Sequence, residues 1–309
     1  MRTAVIDIGS NTLLLLVAER APGGELRAVV DLCRFGRLGQ GLDATGRLHP
    51  DAIARSLDIC REYRAALDAN GVGRVAVIAT EAVRKAANGA DFTAPAQAIL
   101  GAPIDVIPGE REAHLAFTAQ VRSLPALRGR RFAVADVGGA STEVIVADGS
   151  RVESEVSVPI GAVRLTERHL RHDPATAEER AALAADIDAA LAPLALPADL
   201  PLVASAGTAT TLAAVELGLT RYDPDRVHGL ALAPARVAEL ADTLARATAA
   251  ERRAMPGIEP QRVDVIAAGA AIFARLVVRL RAPQVIVSDR GIRWGLAYEL
   301  ADAAATTAT

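Results

Sequence analysis

Aromatic side chains make up only 3% of this 309-residue chain, with a single tryptophan. Its cores must therefore be built from the Ala, Val, Leu and Ile that dominate a 51% hydrophobic composition. Cysteine is equally scarce: Cys33 and Cys60 have no metal-ligand spacing, and two cysteines make no disulfide framework. Both are expected to be ordinary reduced thiols. Neither sign of charge prevails, with 34 basic against 37 acidic residues and a formal net charge of −3. That balance gives no global attraction for nucleic acid or an anionic membrane, so an anionic substrate would need a local basic site. Long apolar runs are also missing. The longest uncharged stretch, Leu200 to Val215, is too short to span a bilayer and contains Pro201, Ser205 and Gly207. Asp7 interrupts the N-terminal apolar run at once, which argues against a signal peptide. The expectation is a cytoplasmic protein with no nucleic-acid or membrane partner. The five histidines show no clustered ligand spacing, and the pair His169 and His172 reads as a solvated helix.

What is present is alternation. Ala4–Ile8 reads as a buried strand, Leu13–Ala18 as its return, and Leu26–Phe35 as a third strand of a meander. Ile53, Leu57 and Cys60 fall at helical spacing within 50–67, and Asn70-Gly71 supplies a stop. A strand at Arg74–Ala79, a helix through 81–87, another before Gly101, a strand at 104–107 and a helix over 110–124 complete the first half. The basic stretch 125–131, interrupted by Gly129, is a plausible lobe boundary, which divides the chain into residues 1–126 and 127–309. Strands then recur at 132–137, 143–147 and 152–158, with Asp148-Gly149 as a hairpin signal, and later at 202–205 and 285–288 among helices. Alternation of this kind indicates an α/β fold.

The second half restarts the first. Val5-Ile-Asp7-Ile-Gly9 and Val134-Ala-Asp136-Val-Gly138 align position for position. Each runs into small polar residues, Ser10-Asn11-Thr12 in one and Gly139-Ala140-Ser141-Thr142 in the other, before a second apolar strand. A strand ending in Asp-x-Gly sets a carboxylate at the rim of a sheet, and glycine lets an anion approach the backbone without a Cβ in the way. Successive amides and hydroxyls then form an anion-binding concavity. Because the aspartate would repel a phosphate, a divalent cation is expected with it. One Asp-x-Gly is an ordinary turn; two in register with repeated strands suggest a phosphate clamp.

The run Asp136-Val-Gly-Gly-Ala-Ser-Thr-Glu143 closely resembles the second phosphate motif of the exopolyphosphatase/guanosine pentaphosphate phosphohydrolase (Ppx/GppA) family, and Asp7-Ile-Gly-Ser-Asn-Thr12 resembles its first. Further similarities follow in order: Ala79-Thr-Glu-Ala-Val-Arg84 with Asn88, Gly109-Glu-Arg-Glu112-Ala113, Pro159-Ile-Gly-Ala-Val-Arg164, Ser205-Ala-Gly207-Thr208, Arg262-Val-Asp264-Val-Ile and Ser288-Asp-Arg-Gly291. The resemblance implies duplicated ribonuclease-H-like lobes of the actin, Hsp70 and sugar-kinase superfamily, with an interlobe cleft. It also implies hydrolysis of a terminal phosphoanhydride of inorganic polyphosphate. The alternatives are a guanosine pentaphosphate 5′-phosphohydrolase or a non-catalytic sensor that binds the guanosine alarmone. A sugar kinase fits the Glu112 and Arg84 motifs poorly.

By that resemblance Glu112 is the catalytic base, placed in the first turn of a helix where an ionised carboxylate is favoured. Glu110 is its solvated neighbour. Arg84 is the phosphoryl-stabilising arginine, with Arg164 a weaker candidate for the same wall. Ser10, Asn11, Thr12, Gly138, Gly139, Ala140, Ser141 and Thr142 are expected to bind phosphate. Asp7, Asp136 and Glu143 are expected to hold Mg²⁺ or another divalent ion directly or through water. Gly207 and Thr208 either bind a distal phosphate or cap the helix that follows. A homodimer is expected from the family.

Three residues depart from the family pattern: Ala140 stands in for the third glycine of a triple, Pro108 for a small polar residue, and Trp294 for an acidic one. The methyl of Ala140 should be accommodated, Pro108 could alter the loop before Glu112, and Trp294 reads as packing. The sequence ends soon after the duplicated core, without the C-terminal helical domains of longer family members, which suggests a preference for shorter polymers.

Overall fold

The computed structural model describes residues 2–21 and 25–306. It divides into two compact units: one holds residues up to Arg122 together with those from Ile292 onward, and the other holds Ser123–Gly291.

In the first unit, β1 (Arg2–Ile8), β2 (Leu13–Arg20) and β3 (Leu26–Arg34) form an antiparallel meander. On the other side of β1, β4 (Arg74–Ala79) and β5 (Ile104–Val106) add in parallel, giving the order β3-β2-β1-β4-β5. β1 is buried on both faces, which is why it reads as an unbroken apolar run rather than an alternating one. Ile6, Ile8, Leu13 and Leu15 pack with Tyr63 of the helix Pro50–Ala69 and Phe92 of the helix Gly89–Leu100.

The helix Ile292–Thr306 packs on β1 and β2. This corrects the expected division at 126/127, which left the whole C-terminus in the second lobe. A central sheet buried on both faces needs cover on each, and this helix supplies it from the far end of the chain. Gly295 lies so close to the helix Gly109–Ser123 that a Cβ there would come 2.0 Å from the Leu115 carbonyl oxygen. Ion pairs fasten the helix as well: Arg293 to Asp31 at 2.9 Å, Arg122 to Asp302 at 2.7 Å, and Arg111 to Glu299. Trp294 is buried and tilted against Tyr298, so packing is its observed role.

The second unit repeats the plan. β6 (Arg131–Val137), β7 (Thr142–Asp148) and β8 (Arg151–Val158) form the meander, with Gly149 at φ +56° in the two-residue turn between β7 and β8. β9 (Leu202–Ser205) pairs in parallel with β6. β10 (Ala231–Leu232) and β11 (Val285–Val287) complete the order β10-β11-β9-β6-β7-β8, with β11 parallel to β9 and β10 antiparallel at the edge. Apart from β10, strand order and direction match the first unit, so each unit carries the same ribonuclease-H-like core. The helix Ile266–Arg279 is buried along most of its length against this sheet's core.

His169 and His172 do not share a helix. His169 ends the helix Ala162–His169 and pairs with Asp186 at 2.7 Å, whereas His172 lies beyond it and pairs with Glu179 at 2.8 Å. Among the described residues no helix is long and apolar enough to cross a membrane.

Candidate active site

The duplicated loops have the same backbone. β1 and β2 remain paired to Ile8 and Leu13, and β6 and β7 to Val137 and Thr142, leaving four-residue turns. In the first, the Gly9 N–H donates to the Thr12 carbonyl at 2.9 Å; in the second, the Gly138 N–H donates to the Ser141 carbonyl at 2.9 Å. A Cβ on either glycine would come 3.1 Å from that same carbonyl oxygen. At this distance a Cβ would be tighter than an ordinary contact, so glycine lets each turn close backbone against backbone.

The repeat extends further than the motif comparison reached. After β3, the Gly39 N–H donates to the Ser10 carbonyl at 2.7 Å and the Arg37 N–H to the Asn11 carbonyl at 3.0 Å. After β8, the Ala162 N–H donates to the Gly138 carbonyl at 2.9 Å and the Val163 N–H to the Gly139 carbonyl at 2.8 Å. Each loop is thus braced by the segment that leaves its own meander, and each brace carries a glycine pressed against the loop. A Cβ on Gly39 would meet the Ser10 Cβ at 2.9 Å, and one on Gly161 would lie 2.5 Å from the Ala140 N and the Gly139 C and O. Arg164 belongs to this brace. It is buried and donates to the Ala140 carbonyl, which makes it a support of the loop. The methyl of Ala140 is accommodated in a buried position.

Thr142 corrects the expectation that it binds phosphate. Register aligns Thr142 with Leu13, on the strand rather than in the loop. Its hydroxyl is fully buried and donates to the Ile160 carbonyl at 2.6 Å. Ser141, by contrast, aligns with Thr12 inside the turn.

The two aspartates have different neighbours. Asp7 lies between Leu14 on β2 and Ile78 on β4. Asp136 lies between Glu143 on β7 and Ser205 on β9, and Glu143 in turn faces Ser157 on β8. Asp136 and Glu143 are 5% and 2% exposed. Ser205 Oγ donates to Asp136 Oδ2 at 3.0 Å, and Ser157 Oγ donates to Glu143 Oε1 at 2.8 Å. A Cβ on Gly291 would touch Asp136 Oδ2 at 3.5 Å and Ser205 Oγ at 3.7 Å, so glycine leaves this carboxylate a small open approach. Two hard oxygen donors side by side fit Mg²⁺, which usually takes one or two carboxylates and completes its shell with water and phosphate. Among the described residues no group of three or more acidic, histidine or cysteine side chains converges as a ready-made cage.

In the first unit, Glu112 sits in the opening turn of the helix Gly109–Ser123 and is 3% exposed, whereas Glu110 is exposed. The Pro108 carbonyl accepts from the Arg111 and Glu112 amides at 3.0 and 3.1 Å. Its missing N–H falls at a helix entry, where proline is well tolerated. Arg84, on the short helix Glu81–Lys85, donates to Glu112 Oε1 at 2.6 Å and also to the Ile107 carbonyl. Burial pushes the Glu112 carboxyl up to about 7, with the charges of Asp7 and Glu81 acting in the same direction and Arg84 opposing them. Buried Glu81 pairs with Lys85 and is a member of this cluster that sequence reading did not single out.

The third loop starts at Ser205, whose hydroxyl goes to Asp136 and makes no cap bond to the helix Ala206–Glu216. Ala206 turns the chain from strand to helix at φ +69°, a conformation rarely adopted by residues other than glycine. Gly207 is covered by the Arg262 guanidinium, whose Nη1 would lie 2.0 Å from an added Cβ. Thr208 is buried against Gly269 of the helix Ile266–Arg279. Ser157, Ser205, Gly161 and Arg262 are therefore site residues that the motif reading either passed over or left without a role. Gly161, Ser205 and Arg262 fall within the motifs that carry the resemblance, whereas Ser157 has no local signal and is found only through its cross-strand partner Glu143.

Residues 16–304 match the model of the Ppx/GppA phosphatase family. Exopolyphosphatase 2 of Mycobacterium tuberculosis is 37% identical over 97% of this chain and 98% of its own length. The guanosine-5′-triphosphate,3′-diphosphate pyrophosphatase of Vibrio cholerae is 30% identical over 96% of this chain, which spans 59% of that relative. Among solved structures, the Aquifex aeolicus Ppx/GppA family member superposes with a TM-score of 0.82 at 34% identity, covering 99% of this chain and 98% of its own.

Proposed function

The chain belongs to the Ppx/GppA phosphatase family, and from that premise we propose that it is an exopolyphosphatase. It hydrolyses the terminal phosphoanhydride of inorganic polyphosphate and releases orthophosphate. The observation that carries this reading is Glu112: a buried carboxylate, held by Arg84, with its proton affinity raised to about 7. A base for activating water works best when its pKa lies near the working pH.

In this mechanism the carboxylate of Glu112 accepts a proton as the water oxygen attacks the terminal phosphorus. The bridging P–O bond breaks, and its electron pair leaves with the shortened chain. Arg84 already reaches the position of the base, so its guanidinium is placed to bind equatorial phosphoryl oxygens and stabilise their charge. The braced loop of each unit would offer its own donors to phosphate oxygens, Ser10, Asn11 and Thr12 in the first and Gly139, Ala140 and Ser141 in the second. A more distal phosphate would bind at Gly207 and Thr208, beside the Arg262 guanidinium. Asp136 and Glu143 would hold Mg²⁺, and the ion would supply charge neutralisation at the phosphates.

The alternative substrate is guanosine pentaphosphate, suggested by the Vibrio relative. Polyphosphate is favoured because the Mycobacterium relative is more similar and matches along nearly its whole length. Orthophosphate release should be measured from both substrates, with Mg²⁺ or EDTA, for the wild type and Glu112→Gln. Mg²⁺-dependent release from polyphosphate that is lost in the variant supports the proposal. Faster release from guanosine pentaphosphate would reassign the substrate. Alarmone binding without release from either would make the chain a sensor.

A further inference from the structure

We propose that Ser157 and Ser205 are positioning residues for a divalent cation, each holding one of the two carboxylates that bind it. The inference rests on the cation-assisted reading above and adds to it two hydroxyls that do not touch substrate.

Four strands contribute one residue each to a single cross-strand row, in the order Ser205 on β9, Asp136 on β6, Glu143 on β7 and Ser157 on β8. Residues directly opposite on paired strands project to the same face, so the row is a continuous polar line across a sheet whose other central positions are apolar. Its middle members are both acidic and both nearly excluded from solvent. Like charges directly opposite on antiparallel strands are unfavourable, and burial deepens the penalty. The outer members answer that problem from either side, Ser205 by a 3.0 Å bond to Asp136 and Ser157 by a 2.8 Å bond to Glu143.

A hydroxyl that donates to a carboxylate makes a stronger bond to the anion than to a neutral acceptor, and it selects one rotamer. Carboxylates that ligate metals are commonly oriented in this way, and loss of the outer partner weakens metal binding by roughly 10–100-fold. The corresponding row of the first unit lacks the feature, since Asp7 has Leu14 and Ile78 as neighbours. The duplicated sheet has thus become polar on one side only, at the positions that orient Asp136 and Glu143. Ser157 lies on the edge strand β8, most of whose residues are exposed.

The test is direct binding of Mn²⁺ to the full chain, followed by electron paramagnetic resonance of the free ion, for wild type, Ser157→Ala, Ser157→Thr, Ser205→Ala and Asp136→Asn. Both alanine variants should bind Mn²⁺ about 10–100-fold more weakly, while Ser157→Thr keeps the wild-type affinity. In each alanine variant the Mg²⁺ concentration for half-maximal orthophosphate release should rise in step, and kcat should recover at saturating Mg²⁺. Affinity within twofold of wild type in both alanine variants, with binding lost in Asp136→Asn, would overturn the positioning role and leave the cation site standing. Absence of Mn²⁺ binding by the wild type would overturn both. Should Ser205→Ala fail to fold, the exposed Ser157 pair decides the matter alone.

Discussion

Replacing Gly161 with alanine adds one methyl at a backbone conformation, φ −153° and ψ 164°, that alanine adopts without strain. The effect is therefore one of space alone. The new Cβ would lie 2.5 Å from the Ala140 N and from the Gly139 C and O. Carbon contacts are comfortable only from about 3.5 Å, so brace and loop must part by about 1 Å. No flexible side chain can give way, because all three neighbours are backbone. The separation strains the bonds from the Ala162 and Val163 amides to the Gly138 and Gly139 carbonyls, now 2.9 and 2.8 Å. Overpacking of this kind costs about 1–3 kcal/mol, or several degrees in Tm at about 2–4 °C per kcal/mol for a unit of this size. A displacement of about 1 Å in a group that positions substrate costs on the order of 100-fold in rate. The assay is steady-state orthophosphate release alongside a thermal melt. Gly218→Ala serves as the control: its φ of +61° strains alanine, but no atom lies within 4 Å of the added Cβ. It should lower Tm comparably and leave kcat/KM unchanged. If Gly161→Ala lowers Tm but keeps kcat/KM within about twofold of wild type, the brace does not set the loop geometry and the reasoning fails.

Two further outcomes follow from particular side chains. In the proposed mechanism Glu112 must be ionised to accept a proton; with its pKa raised from 4.5 to about 7, kcat/KM should climb with pH and level off above 7. Arg84→Ala removes the main opposing influence and should shift that midpoint upward; an unmoved midpoint would assign it to another group. The same shift has a stability consequence, because a raised folded pKa contributes stability below pH 4.5 that is lost as pH rises through 7. Melts of Glu112→Gln and wild type should diverge across that window in favour of the variant, by about 3 kcal/mol at roughly 1.4 kcal/mol per pH unit. A pH-independent difference would contradict the burial argument. Thr142→Val keeps the shape but leaves the buried Ile160 carbonyl without its donor, and should cost about 1–3 kcal/mol in a melt. A tenfold rise in KM without loss of stability would restore Thr142 as a phosphate ligand.

Much of the site was legible because its signals are local. A strand buried on both faces must be an unbroken apolar run, and a turn that brings backbone against backbone must carry glycine. The pairs Asp7-x-Gly9 and Asp136-x-Gly138 therefore announced both loops and the duplication. Glu112 stood out by the family resemblance, since an acid in the first turn of a helix is common on its own. Thr142 was misjudged by one residue, and that was enough: the strand begins at Thr142, so the step from Ser141 separates a hydroxyl in the turn from one buried under the sheet. Ile292–Thr306 was assigned to the wrong lobe because an apolar helix records that it must be buried without recording against which sheet.

The sequence by itself determined the α/β class, the repeat and the two glycine loops. These depend on contacts within a few residues, where steric limits and strand burial leave few alternatives. Only the tertiary structure decided which groups act on each other. Burial of Glu112 beside Arg84, the glycine braces at Gly39 and Gly161, and the row Ser205–Asp136–Glu143–Ser157 all join segments far apart in the chain. Their energies come from distance, exposure and register across strands, quantities that exist only once the sheets have formed.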